Sequence, residues 1–299
     1  MFNVSTIELS AEALRNNLAF IRKVIGPGTK LCSVVKGNAY GHGIGTFTAM
    51  AQRLGAEMFA VYSASEAYEL KKHLTNGAEI YIMGDADGNA LDWAVEHDIA
   101  FNVFESNRLS QAIHSAKAQG KSAGIHIEIE TGMHRTGFPV GDLPAVLERC
   151  RSHSDAIEIK GICSHLAGAE SQANRLRIDA QKARFREAIA IAELHGQSIG
   201  LRHLACSAAI LNEPDTLYDM ARVGILHYGF WPNKETWDRY SKAHGFTDDP
   251  LMRVIRWWSR GMSCLLYTSD AADERSRVDL GGRRAIKKKK TKSHARKGI

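Results

Sequence analysis

No run of 18 apolar residues occurs in the sequence, so no segment reads as a helix able to cross a bilayer. The opening Met1-Phe2-Asn3-Val4-Ser5 lacks the basic and apolar regions of a secretory signal, which points to a cytoplasmic location. Five cysteines (Cys32, Cys150, Cys163, Cys206, Cys264) never form a C-x-x-C pair. An odd, unpatterned set argues against a disulfide framework or a zinc site, and for reduced thiols that serve as small core hydrophobes. No G-x-G-x-x-G turn opens a helix, which disfavours a dinucleotide-binding open sheet. Excess positive charge is also missing from most of the chain. Residues 264–299 carry 11 of the 39 basic and 4 of the 33 acidic residues, which leaves 28 and 29 in the first 263, a balance of −1. The formal charge of +6 therefore resides in the tail, and neither nucleic acid nor a membrane is expected as a partner.

What remains is ordinary for a globular protein: 299 residues, 44% hydrophobic and 24% charged, enough for one large domain or two small ones. The tail stands apart. Its Lys287–Lys290 run would ordinarily read as a disordered basic arm. The preferred reading differs, because Cys264-Leu265-Leu266-Tyr267-Thr268-Ser269-Asp270-Ala271-Ala272-Asp273-Glu274 looks like a translated sequencing adapter. Val278-Asp279-Leu280-Gly281-Gly282-Arg283-Arg284 looks like the other end of the same adapter, and the lysine run like translated adenines. Residues 264–299 are thus expected to be disordered read-through, excluded from fold reasoning.

Before the tail, short β-branched apolar segments alternate with helical patterns. Ser10 is a plausible N-cap for a helix carrying Leu14, Leu18, Ile21 and Ile25, closed by Gly26-Pro27-Gly28. Strands are expected at Leu31–Val35, Met58–Tyr62, Glu79–Met83, Ala100–Val103, Gly124–Ile129, Ile159–Ser164, Leu201–Ala205 and Met220–Gly224. Helices are expected at Gly45–Leu54, Ala64–His73, Asn107–Gln119, Leu143–Ser152, Ala173–His195 and Ala209–Leu211. This alternation implies an α/β fold of the (β/α)8, TIM-type barrel class over residues 1–240, with a doubly wound sheet as the alternative. Beyond Tyr228-Gly229-Phe230-Trp231-Pro232 the helical rhythm stops. Pro250–Arg260 reads as one strand with two packing tryptophans, so that residues 241–263 hold only the start of a truncated β-rich domain.

A barrel places reactive groups at strand C-terminal ends. Lys36 stands at such an end, after the apolar Leu31-Cys32-Ser33-Val34-Val35 and before Gly37-Asn38-Ala39-Tyr40-Gly41-His42-Gly43. Burial disfavours a charged lysine, and the neutral amine is the nucleophile for Schiff-base formation with a carbonyl cofactor. By itself such a lysine more often simply ends a strand at the surface. Arg135, His165, Ser207 and Gly224-Ile225 fall at other strand ends, the last three where barrels commonly bind phosphate.

The string from Val34 to Gly43 resembles the pyridoxal-phosphate lysine motif of the alanine racemase family, with Gly37 where an alanine is usual. The resemblance spans roughly residues 5 to 263. It implies pyridoxal 5'-phosphate as cofactor, held by Lys36 as a Schiff base, with Lys36 also one of two catalytic bases. It further implies that Tyr40 and Ser207, with the backbone of Gly224 and Ile225, hold the phosphate. His165 would lie against the pyridine ring, Arg222 would donate to the pyridine nitrogen, and His203 would orient Arg222. An arginine there cannot share a proton as an aspartate would, so the ring stays a weaker electron sink. Arg135 would bind the substrate carboxylate or orient the opposing base. No metal is implied.

Two departures accompany the resemblance. Glu128 stands where some relatives carry a carbamylated lysine, and could supply Arg135 with a permanent carboxylate. The second base of the family, a tyrosine from the partner subunit's other domain, has no counterpart here, and Tyr267 belongs to the adapter-like string. The expectation is therefore an alanine racemase barrel, interconverting L- and D-alanine by a two-base mechanism to supply a cell-wall precursor. The full protein would be a homodimer, and this chain poorly active. Alternatives are a racemase preferring serine or a basic amino acid, a related decarboxylase, or a non-enzymatic homeostasis protein that binds the same cofactor.

Overall fold

A computed structural model describes residues 5–259 apart from 76, 85 and 87, so Arg260 at the end of the Pro250–Arg260 segment and the adapter-like tail with Cys264 lie outside the described residues. The chain divides into a large unit, Ile7–Trp257, and a small one, Met1–Thr6 with Trp258–Ile299. The small unit contributes only Ser5, Thr6, Trp258 and Ser259 to the described residues.

The large unit is built on eight parallel strands: Lys30–Val34, Met58–Val61, Glu79–Ile82, Ala100–Val103, Ala123–Glu130, Ile157–Cys163, Leu201–His203 and Met220–Val223. The eighth pairs in register with the first, Met220 opposite Lys30 and Val223 opposite Ser33. The seventh and eighth approach through the Asp219 N–H to Arg202 carbonyl bond (3.1 Å), the Arg222 N–H to Ala205 carbonyl bond (3.0 Å) and a bridge between Cys206 and Arg222. The sheet is thus a nearly closed barrel. All eight expected strands are present. Met58–Val61 is apolar and buried throughout, as a parallel sheet covered by helices requires.

The helices cover the barrel with apolar faces. Ser10 caps the first, Ala11–Ile25, by accepting from the Ala13 N–H at 3.1 Å, and Leu14, Leu18, Ile21 and Ile25 are buried beneath it. Gly26, at φ 74, ends it in a conformation that a side chain resists. Truncating the fully buried Ile21 to alanine would cost about 2–5 kcal/mol in transfer and cavity terms. A separate cluster inside the barrel comprises Cys32, Val34, Met58, Ala60, Tyr81 and Met220. Cys32, Cys150 and Cys163 are free and buried, in keeping with cysteine as a small hydrophobe.

Four features differ from expectation. A helix at Asn89–Glu96 fills the crossover between the third and fourth strands. The helical rhythm does not stop at Pro232, since Lys234–His244 is helical and runs past residue 240. Trp237 and Tyr240, three residues apart, give this otherwise polar helix its one apolar face. It is held by Asn233, which accepts from the Thr236 N–H at 2.8 Å, and by Trp237 and Tyr240 packed on Trp231 at ring separations of 4.9 and 5.5 Å. The C-terminal strand begins later than Pro250: Leu251 and Val254 are buried in the barrel's outer core, and among the described residues Ile255–Ser259 is extended, paired with Ser5–Leu9. Its tryptophans are exposed, Trp257 by 66% and Trp258 by 56%, because their strand belongs to a sheet of only two strands.

Candidate active site

Lys36 is delivered by a strained turn. The first barrel strand ends at Val34, and the Val35 N–H still bonds the Ala60 carbonyl at 2.8 Å. Gly37, Asn38, Ala39 and Tyr40 then all adopt positive φ between 52° and 63°. A left-handed conformation costs an L-residue roughly 1–2 kcal/mol, so the three that follow Gly37 need external support. Glu66 supplies part of it: its Oε1 accepts from the Gly37 N–H at 2.6 Å, and its Oε2 from the Tyr62 N–H at 2.9 Å. Rings supply the rest, with Tyr228 lying 5.0 Å from Tyr40, 4.5 Å from His42 and 4.6 Å from Phe47.

The turn aims Lys36 into a cavity of about 590 Å³ at the C-terminal ends of the strands. Tyr40, Arg135, His165, Ser207, Arg222, Gly224 and Ile225 line the same cavity. His203, the remaining expected site residue, lies behind Arg222 in the barrel interior. The residues proposed from sequence therefore converge. Lys36 is half-buried, and its pKa lies below 10.5 through burial first and then the Arg135 charge, with Glu66 opposing and Arg222 adding to the fall.

One end of the cavity is a cradle of hydroxyl and N–H groups. The Gly224 N–H donates to the Ser207 hydroxyl at 3.0 Å. A Cβ on Gly224 would stand 2.6 Å from the Tyr40 hydroxyl, so glycine is needed here for space. Ile225 opens a short 3-10 turn directly after it. At the other end, Arg222 is buried and bonded only to neutral acceptors among the described residues. Its Nη2 donates to the Ser164 carbonyl at 2.6 Å, and its Nη1 to the His203 carbonyl at 3.0 Å and to His203 Nδ1. Burial, then the charges of Arg222, Arg135 and Lys36, push His165 down to about 3, so its imidazole is neutral.

Arg135 is half-exposed, in a loop pinned by Glu130, whose carboxylate accepts from the Gly132 and His134 N–H groups. Its guanidinium lies 3.7 Å from Glu128 Oε1. Glu128 is buried and also accepts from Thr136 Oγ1 at 3.1 Å and Asn102 Nδ2 at 3.0 Å. The Glu128 carboxyl is thus held in place beside Arg135. Glu66, Tyr81, Asn102 and His126 were not anticipated. Glu66 carried a legible signal, the S-x-x-E spacing from Ser63 that forms a capping box here. The other three sit in strands whose residues read only as interior.

Residues 9–232 match the profile of the alanine racemase N-terminal domain. The alanine racemase of Desulforamulus reducens is 33% identical over 230 residues, covering 76% of this chain and 61% of that protein. Alanine racemase 2 of Caldanaerobacter subterraneus is 32% identical, covering 77% and 58%. The chain thus spans about three fifths of the length of these curated relatives. The crystal structure of the alanine racemase from D-cycloserine-producing Streptomyces lavendulae superposes with a TM-score of 0.76 at 28% identity, over 86% of this chain and 65% of that one. That of Bartonella henselae with covalently bound pyridoxal phosphate shares the fold, with a TM-score of 0.70 at 24% identity over 86% and 66%.

Proposed function

Given that the chain belongs to the alanine racemase family, we propose that its barrel binds pyridoxal 5'-phosphate on Lys36 and serves the interconversion of L- and D-alanine. The residues fit that cofactor. The cradle of Tyr40, Ser207, Gly224 and Ile225 offers hydroxyl and N–H donors to a phosphate. Arg222, held by neutral acceptors, keeps its charge for the ring nitrogen, and a neutral His165 suits a place against the ring. The observation that carries this reading is that Lys36, Arg222 and the cradle open into a single cavity.

When bound, the cofactor supplies an electron-withdrawing ring conjugated to the amino-acid nitrogen, which acidifies the α C–H. Lys36 would hold it covalently and then move the α proton at its own Nζ, a role that a lowered pKa favours. Arg222 donates and cannot accept a proton, so it limits how far charge is drawn into the ring. Arg135 would meet the substrate carboxylate, with Glu128 fixing its guanidinium. The second base that racemisation needs on the opposite face lies, in this reading, outside the barrel.

Borohydride treatment of the full chain mixed with pyridoxal phosphate should leave one reduced adduct on the peptide containing Lys36, absent in Lys36→Ala. In deuterated water, the wild-type chain should exchange the α-hydrogen of alanine faster than Lys36→Ala. An adduct retained in the same region of Lys36→Ala would defeat the assignment.

A further inference from the structure

We infer that His126 is a positioning residue for the cofactor-facing arginine: it accepts a hydrogen bond from His203 Nε2–H and thereby fixes the imidazole tautomer that Arg222 requires. The inference rests on the reading of Arg222 as the group that meets the cofactor ring nitrogen. A guanidinium has five N–H donors and no acceptor, and it does not deprotonate in a protein. Arg222 Nη1 points at His203 Nδ1, so that nitrogen must be bare. A neutral His203 then carries its proton on Nε2, which lies 2.8 Å from His126 Nδ1. His126 Nδ1 must accept in turn, and its own proton sits on Nε2. One charge that cannot be neutralised thus sets two tautomers in series.

Neither ring can escape by charging. Burial first, then the Arg222 charge, pushes His126 down to about 3 and holds His203 well below 6.5. Were His203 to carry its proton on Nδ1 instead, two donors would face each other and Arg222 would lose an acceptor. The fork that Arg222 presents to the cavity would then be freer to turn.

The barrel wall is built to make this contact. The fifth and sixth strands pair Ile125 with Ile159 but His126 with Gly161, so Lys160 is an extra residue and the register slips at His126. A Cβ at Gly161 would stand 2.5 Å from His126 Nδ1, in the space the ring needs to reach His203. Gly161 does not have positive φ, so its need is room and not conformation. The ring of Tyr81 lies 4.3 Å from that of His126 on another side, and Tyr81 is anchored by its hydroxyl bond to Asn102. A bulge, a glycine and an aromatic neighbour all favour one placement of this imidazole.

The test begins on the ligand-free full chain with 15N-labelled histidine. Long-range proton–nitrogen spectra should show both rings neutral and protonated on Nε2 at neutral pH. A protonated ring, or an Nδ1–H tautomer at either histidine, would overturn the inference. His126→Asn retains an acceptor near the Nδ1 position and should keep the His203 pattern, whereas His126→Leu should lose it. Affinity for pyridoxal phosphate should fall on the order of tenfold in His126→Leu, the scale of a weakened hydrogen bond to a charged group, and much less in His126→Asn. The analogue with carbon in place of the ring nitrogen should bind His126→Leu and wild type alike. Equal losses for both ligands would mean that His126 is merely structural. Wild-type protein that binds the two ligands equally would instead defeat the reading of Arg222, while the ligand-free spectra would still decide the tautomers.

Discussion

Lys182 and Arg222 are both buried cations, 5% and 7% exposed, yet the molecule treats them in opposite ways. Lys182 lies on the long helix Arg175–Leu194 outside the barrel, 2.9 Å from Glu213, 2.8 Å from Asp215 and 3.7 Å from Asp179. Burial pulls its pKa down, but hydrogen bonds to Asp215 and Glu213 outweigh that and the net effect is a rise. Arg222, on the eighth strand, meets two carbonyls and an imidazole nitrogen, all neutral. A cation surrounded by carboxylates has its field cancelled and can only tie elements together. A cation held by neutral acceptors stays in place while its field reaches into the cavity. The difference separates a structural charge from one kept for a ligand.

The largest effect is expected at Lys182. Replacing it by methionine leaves the buried Glu213 with only the half-exposed Arg175, 3.5 Å away, as counter-ion, and the loss should approach the roughly 3–5 kcal/mol of other broken buried pairs. Thermal and denaturant unfolding would measure it, and Glu213→Gln in the same background should recover part. Pyridoxal-phosphate affinity of whatever remains folded should not change. A loss well under about 1 kcal/mol would show that the network is only surface decoration.

Arg222→Leu should show the reverse emphasis. The orphaned acceptors cost roughly 1–3 kcal/mol. Cofactor affinity should fall, and Arg222→Lys, which keeps the charge but not the fork, should restore it only in part. Equal cofactor affinity in Arg222→Leu and wild type would remove the distinction between the two cations.

Burial, joined by the uncancelled field of Arg222, also has a consequence for pH dependence. His126 and His203 have folded pKa values below the ordinary 6.5, so the unfolded chain binds protons that the folded chain refuses as pH falls. Stability is therefore full above 6.5 and declines below it toward about 3. Each buried ring contributes up to about 1.4 kcal/mol per pH unit within that window. Unfolding measured between about pH 7 and 5, above most carboxylate titrations, should show the decline, and His126→Leu should make it shallower by one ring's share, because His165, His203 and His227 are held down as well. A level profile in the wild type would mean that these rings charge inside the fold.

The smallest effect concerns Lys36. Arg135 lowers its pKa more than Arg222 does, so Arg135→Met should move the midpoint of pH-dependent adduct formation upward by more than Arg222→Leu. The opposite order would place the stronger field on the wrong side of the cavity.

Much of this site is legible in the amino-acid sequence. The glycine-rich string after Lys36 and the regular spacing of buried strands mark a barrel whose mouth gathers Lys36, Arg135, His165, Ser207 and Arg222, because period and turn chemistry are local properties. The residues that hold those groups are not legible there. His126 sits within Ala123–Glu130, where nearly every position is buried, and nothing local separates a histidine aimed at a partner 77 residues away from one merely packed. Asn102 and Tyr81 meet Glu128 and His126 only because closure brings the third, fourth and fifth strands side by side. The helix Lys234–His244 is held partly from afar, by Phe20 of the first helix 5.7 Å from Tyr240, as well as by the nearby Trp231.

By itself, then, the order of residues determined the strand and helix alternation and the identity of the groups at the strand ends. Those depend on side-chain period, φ preference and chemistry carried within a few residues. Tertiary structure decided which charges are cancelled and which are kept. Arg222 and Lys182 read alike as basic residues near apolar ones, and only the closed sheet surrounds one with carbonyls and imidazole while the outer helix surrounds the other with carboxylates. The physical reason is that a charge's effect is set by its neighbours in space, and those are chosen by closure of the barrel.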